Sequence, residues 1–152
     1  MPKIHRETTV KEPLEVVYKF FNAPENLEKL TPSFLKFKIL TPSPITMQNN
    51  LILDYQLSIF GIPLRWTSVI QNYHPGTSFT DIQLKGPYSF WHHHHLFEQT
   101  DSGETKISDI IHYEVGFGPL GGLINMLIIK HQLAYIFNHR QRVIESLFTV
   151  IK

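Results

Sequence analysis

The chain has 152 residues, with 14 Lys and Arg against 13 Asp and Glu and a formal net charge of +1. That length fits one domain, residues 1–152, able to bury about 68–70% of its unfolded surface. Balanced charge argues against an electrostatically driven nucleic-acid binder, and the lack of cysteine excludes disulfides, thiol nucleophiles and thiolate metal sites.

Residues 3–10 alternate as a strand would. The segment Met1-Pro2-Lys3-Ile4-His5-Arg6-Glu7 has no apolar leader core, so a cytoplasmic location is expected. Pro13 suits a first helical turn, and Val16, Val17, Phe20 and Phe21 follow at helical spacing. A second short helix spans Pro24 to Leu30 and is ended by Thr31-Pro32. Six strand-like runs come next: Phe34–Leu40, Leu51–Ile59, Leu64–Tyr73, Ser78–Leu84, Tyr88–Gln99 and Thr105–Gly116. Turn signals at Gly61-Ile62-Pro63, Pro75-Gly76, Gly86-Pro87 and Ser102-Gly103 separate the later runs, which implies an antiparallel meander.

From Pro119 the apolar positions Leu123, Met126, Leu127, Leu133, Ile136, Phe137, Val143, Ile144 and Leu147 recur at helical steps. Thirty residues of helix extend about 45 Å, longer than any strand here. Lys130, Arg140, Arg142 and Lys152 are expected on its solvated side. Glycines at 116, 118, 121 and 122 loosen its entry. The apolar stretch Val115–Ile129 is short of the roughly 20 residues a membrane span needs. Its Gly118–Ile129 part is expected in the core, with at most transient membrane contact. A strand, two short helices, a meander and one long amphipathic helix make an α+β plan, the sheet curling around the helix.

Inside the fifth of those runs lie four consecutive histidines, Trp91-His92-His93-His94-His95-Leu96-Phe97. Strand parity puts His93 and His95 on one face with Trp91 and Phe97, and His92 and His94 on the other. A hairpin turning around Asp101-Ser102-Gly103-Glu104 sets Gln99 opposite Thr105. Phe97 then faces Ile107, His95 faces Asp109, His93 faces Ile111 and Trp91 faces Tyr113. These odd positions read as the inner face; His92, His94, Glu98, Ser108, His112 and Glu114 read as solvated. A one-residue slip would exchange the two sets.

The element order and three segments resemble the helix-grip fold of the START-like (SRPBCC) superfamily, in its polyketide cyclase/dehydrase-like ligand-binding branch. The segments are Thr80-Asp81-Ile82-Gln83-Leu84-Lys85-Gly86-Pro87-Tyr88, the Trp91–Glu98 run, and Asp109–Glu114 with Gly118-Pro119-Leu120-Gly121 and Ile136-Phe137-Asn138-His139-Arg140. The resemblance implies about seven antiparallel strands wrapped around the C-terminal helix, with a mostly apolar cavity between. Trp91, Phe97, Ile111, Tyr113 and Phe137 are its expected walls. Asp81 and Gln83 share a strand face and either join the polar cluster or lie on solvent.

A carboxylate beside an imidazole fixes its tautomer and raises its basicity, so His95 with Asp109, and His93 nearby, could serve as acid and base. The same pair could equally satisfy itself as a buried structural contact, and that reading carries more weight. Histidines two apart on a strand can also converge on a metal, with Asp109 as a third ligand. The resemblance carries no habitual metal, and no metal or other cofactor is expected. The serines lack a nucleophile-elbow context, and no phosphate-binding glycine loop is present. The expected function is binding of a hydrophobic or amphipathic small molecule: a lipid, a quinone, or an aromatic or polyketide-like metabolite. The alternative is a cyclase or dehydratase using His95, Asp109 and His93.

Overall fold

Short turns between successive apolar runs leave each strand little choice but to pair with the next. The computed structural model describes residues 1–151 and contains that meander. It consists of β3 (Ile52–Ile59), β4 (Ile62–His74), β5 (Ser78–Lys85), β6 (Phe90–Gln99) and β7 (Thr105–Glu114). β1 (Lys3–Val10) closes on β7, and β2 (Lys38–Ile39) pairs with β3, giving one antiparallel sheet ordered β1-β7-β6-β5-β4-β3-β2. The curved sheet and a long C-terminal helix make the expected α+β helix-grip arrangement.

The expected strand Phe34–Leu40 is reduced to its last residues. Pro32 opens a single tight helical turn, Ser33–Leu35, and Lys36 closes it in the left-handed region at φ 48°. That turn buries Leu35 and leaves Phe34 outside against Tyr135. Ahead of it, α1 (Leu14–Phe21) begins after Pro13, which sits one residue outside the helix in an extended conformation. Its buried side chains Tyr18 and Phe21 meet Phe97 at ring separations of 5.4 and 5.1 Å. A tight turn at Pro24–Asn26 leads into α2 (Leu27–Leu30), capped at Thr31.

The C-terminal helix is continuous over Gly118–Leu147 but not uniform. A tight turn (Gly118–Leu120) and α3 (Gly121–Ile124) precede a wide, π-type turn at Asn125–Ile129, and α4 (Lys130–Leu147) completes it. The wide turn adds a residue and shifts the helical phase by about 100°. The expected single stripe is therefore broken. Leu133, Phe137 and Ile144 are buried, whereas Leu123, Met126, Leu127 and Leu147 are exposed. The expectation that Gly118–Ile129 fills the core is wrong for most of its side chains. Arg140, expected on the solvated side, lies on the buried stripe between Phe137 and Ile144. Lys130 and Arg142 are exposed as expected, and Lys152 lies outside the described residues. Ser108 departs from the solvated set too: on a central strand it sits between Glu7 and Leu96, and their larger side chains bury it.

Candidate functional site

The β6–β7 register is the one that hairpin geometry requires: Gln99 opposite Thr105, Phe97 opposite Ile107, His95 opposite Asp109, His93 opposite Ile111, Trp91 opposite Tyr113. On the other side of β6, β5 sets Asp81 opposite His93 and Phe79 opposite His95. Two carboxylates thus flank two histidines, offset along the strand by one inward position.

The offset produces a crossed arrangement. His93 reaches diagonally to Asp109, Nε2 to Oδ1 at 2.8 Å, and His95 reaches diagonally to Asp81, Nε2 to Oδ2 at 2.7 Å. The directly opposed contacts are longer, 3.5 Å from His93 Nδ1 to Asp81 Oδ2 and 3.4 Å from His95 Nδ1 to Asp109 Oδ1. The four side chains close a ring, with the imidazoles stacked 3.7 Å apart and Phe79 stacked on His95. The pairing of His95 with Asp109 is therefore right as register, but the short hydrogen bond of His95 goes to Asp81.

Arg140 completes the cluster from α4. Its Nε and Nη2 donate to Asp109 Oδ2 and Oδ1 at 3.0 and 3.1 Å, a two-pronged grip on a buried carboxylate. Burial alone would raise the Asp109 pKa, but the Arg140 charge and the two histidines hold it well below the usual carboxylate range. Burial also opposes ionisation of Asp81, and the hydrogen bond and charges of the histidines outweigh it. With both carboxylates ionised they only accept, so each histidine Nε2 carries the proton and donates. Burial and the neighbouring His95 push His93 down to about 4, despite Asp109. For His95, burial again opposes charge, yet the hydrogen bonds and charges of Asp109 and Asp81 raise its pKa. Two anions thus face Arg140 and a His95 whose charged form they favour.

Beside this cluster lies a cavity of about 150 Å³. Its apolar walls include Leu57, Trp66, Tyr88, Trp91, Leu133 and Phe137, and its polar lining includes Asp81, His93, His95 and Arg140. Aromatic packing holds the wall: Trp66 meets Trp91 edge-on at 5.3 Å, and Tyr55 stacks on Trp66 at 5.8 Å. The Trp66 indole donates to Ser68 Oγ at 2.9 Å, which fixes its ring. A smaller void of about 70 Å³ reaches α1 and shares Tyr55, Asp81, His95 and Arg140 with the first.

No family model matches the chain, and no curated protein matches its sequence. Solved structures do match. A START superfamily protein from Mycobacterium smegmatis superposes with a TM-score of 0.70 at 11% identity, covering 96% of each chain. The chain has the START-like helix-grip fold. The Zhui aromatase/cyclase from a Streptomyces species aligns with a TM-score of 0.68 at 12% identity, over 97% of this chain and 96% of that one. A major latex-like protein from Panax ginseng aligns at 0.63 and 15% identity, over 97% of both. Identities this low establish the fold and carry no ligand or reaction with them.

Within this helix-grip fold, Asp81, His93, His95, Trp91 and Phe137 all line the cavity. Asp109 stands behind them, bonded to His93 and Arg140. Phe97 and Ile111 are buried in the packing of the sheet, outside the cavity lining. Tyr113 turns its hydroxyl to Asn125 Oδ1 at 2.7 Å and ties β7 to the helix. Gln83 braces the β5–β6 turn through the Tyr88 backbone, Nε2 donating to its carbonyl at 2.7 Å. The sequence reading missed Arg140, Tyr55, Trp66, Tyr88 and Leu133. For Arg140 a signal existed: Leu133, Phe137, Arg140 and Ile144 are spaced four, three and four apart, so the arginine interrupts an apolar stripe. Ligand atoms of Asp81, His93 and His95 lie within 4.8 Å of one another. Each Nε2 is already committed to a carboxylate, and a cation there would meet the Arg140 charge.

Proposed function

We infer that the chain binds a compact hydrophobic or amphipathic molecule in the cavity between sheet and helix, holding its polar group at Asp81, His95 and Arg140. The observation that carries this reading is the pairing of an aromatic and aliphatic wall with a single charged corner. A void of about 150 Å³ is the size that admits benzene to a dry protein interior. A ligand of one or two rings fits that scale, and the adjoining void extends it on the far side of the same polar residues.

Binding without turnover is favoured over the cyclase or dehydratase reading by the closed ring. Both Nε2 atoms are spent on carboxylates, whereas the Nδ1 atoms stand 3.5 and 3.4 Å from the second carboxylate and His95 Nδ1 is buried without a hydrogen-bond partner. A general base must offer a free nitrogen to the substrate proton, and these Nδ1 atoms are turned to carboxylates within the ring. With His93 pushed down to about 4, it is also a weak base near neutral pH. The acid–base alternative keeps support from two His–Asp contacts facing an apolar void.

The test is native mass spectrometry of freshly purified protein, with extraction and identification of what co-purifies, and then His95→Phe. A carrier loses one of its polar contacts in that variant and binds up to about tenfold more weakly. An enzyme loses its rate by about 10²–10⁴-fold, the usual contribution of a positioned base. Failure to load any apolar ring compound would sink both readings.

A further inference from the structure

Apolar side chains stay in water only when folding gives them nowhere better to go or when something else covers them. Phe117, Leu120, Leu123, Met126 and Leu127 at the start of the C-terminal helix are between 50% and 69% exposed. They all fall within the segment Phe117–Ile128, whose last residue is itself 46% exposed. This helix contains an eighteen-residue stretch apolar enough for a membrane, yet only 11% of that stretch is buried in the protein. A core helix would show the opposite.

The same end of the molecule carries more. Antiparallel pairing sets the end of β3, the start of β4, the end of β5, the start of β6 and the end of β7 at one edge of the sheet. Phe60, Ile62 and Leu84 project there, each more than half exposed. The charge at this end has one predominant sign. Glu114 is exposed at the end of β7, but from there to Glu145 the chain has no carboxylate, and neither has it between Asp54 and Asp81 or between Asp81 and Glu98. Lys130 lines a groove with Lys3 and Arg6 beside the helix, and Arg65 and Lys85 are exposed near the β3–β4 and β5–β6 turns.

We propose that this face docks on an anionic lipid bilayer, with the Phe117–Ile128 segment seated in the interface and Lys3, Lys85 and Lys130 against the headgroups. Aromatic and long aliphatic side chains with basic neighbours and almost no acid are what such an interface selects. The helix lies on the membrane and does not cross it. Phe117 to Ile129 spans about 20 Å, short of a hydrocarbon core of about 30 Å, and beyond it Arg140 is tied to Asp109 on the sheet. A second copy of the chain would cover the apolar side chains but would set these basic groups against their own kind. The proposal stands apart from the cavity and does not require it to be occupied.

The full chain is tested by flotation with vesicles of phosphatidylcholine alone and of phosphatidylcholine with phosphatidylglycerol. Binding to the mixed vesicles is expected, weakened by salt and by about fivefold for each of Lys130→Ala and Lys3→Ala. The double variant Leu123→Asp/Leu127→Asp should bind at least about tenfold more weakly. It should keep its melting temperature, because both side chains already face solvent. Absence of vesicle binding, or binding untouched by the double variant, overturns the proposal. So does ultracentrifugation showing a dimer that the double variant dissociates without any vesicle binding, which would give the face to a second copy.

Discussion

Replacing Arg140 with methionine keeps the aliphatic stem and removes the guanidinium. Asp109 then loses two charge-assisted hydrogen bonds, at 3.0 and 3.1 Å, in a place where both side chains are 7% exposed. Breaking a buried pair by deleting one partner costs about 3–5 kcal/mol. Asp109 keeps its bond from His93 and the nearby His95, so the lower end, about 3 kcal/mol, is expected. For a domain of this size that lowers the melting temperature by roughly 6–12 °C. The sign with pH comes from linkage. A carboxyl held below its unfolded pKa stabilises the fold above about pH 4, and this contribution is lost as pH falls through the folded value. Arg140→Met should therefore show its full deficit near neutrality and a shrinking one in acid. Urea unfolding monitored by circular dichroism across pH measures this, alone and combined with Asp109→Asn. In the Asp109→Asn background the arginine should be worth less by at least about 1 kcal/mol. A neutral-pH loss under about 1 kcal/mol, or one that acid leaves unchanged, refutes the view of Arg140 as the clamp between helix and sheet.

The histidines titrate in opposite directions, which NMR of their ring protons resolves. His93 stays neutral in the fold down to about pH 4, so between its ordinary 6.5 and that value the unfolded chain takes up a proton the folded one refuses. Stability should fall over this window by up to about 3 kcal/mol, and His93→Asn should flatten the slope. His95 contributes stability that is fully present below its unfolded pKa and lost as pH rises through its raised folded value. A His93 titration above pH 6 would contradict the crossed ring. At Gly121 an added Cβ would run into the Gly116 carbonyl oxygen, so Gly121→Ala should cost about 1–3 kcal/mol. Gly122 faces open space in a helix, and Gly122→Ala should instead stabilise slightly; equal effects at the two would refute the packing of the helix entry. Leu57→Phe places a larger side chain in the main void and should weaken a loaded ring compound by about tenfold in calorimetry. Unchanged affinity there would move the ligand elsewhere.

Strand parity and turn chemistry are local properties, which is why the β6–β7 register is legible in the sequence. The same arithmetic located His93, His95 and Asp109 together. It could not say which oxygen each nitrogen would choose, because diagonal contacts across a twisted sheet depend on side-chain reach and not on register. Asp81 illustrates the boundary. Its strand was evident, but its face depended on the geometry of the Gly86-Pro87 turn, so cluster and solvent stayed equal. The C-terminal helix failed differently. Period 3.6 assumes an unbroken phase, and the wide turn at Asn125–Ile129 broke it with no proline or other marker in the sequence.

That phase break divides the helix by chemistry. Beyond it, Leu133, Phe137, Arg140 and Ile144 face the sheet, and the Arg140–Asp109 fork fixes the distance at which the cavity is held open. Up to and within it, Leu120, Leu123, Met126 and Leu127 are exposed, while Ile124 packs against the core. A continuous phase would have put Met126 within about 20° of Leu133 and Leu123 within about 80°, turning both towards the core. The cavity reading and the docking reading thus depend on opposite halves of one helix. The buried half explains why a charged cluster is tolerable beside an aromatic void: every carboxylate in it is already answered by a cation or an imidazole. The four histidines divide in the same way, His93 and His95 closing that cluster while His92 and His94 face outward, His94 Nδ1 resting at 2.9 Å from Thr80 Oγ1.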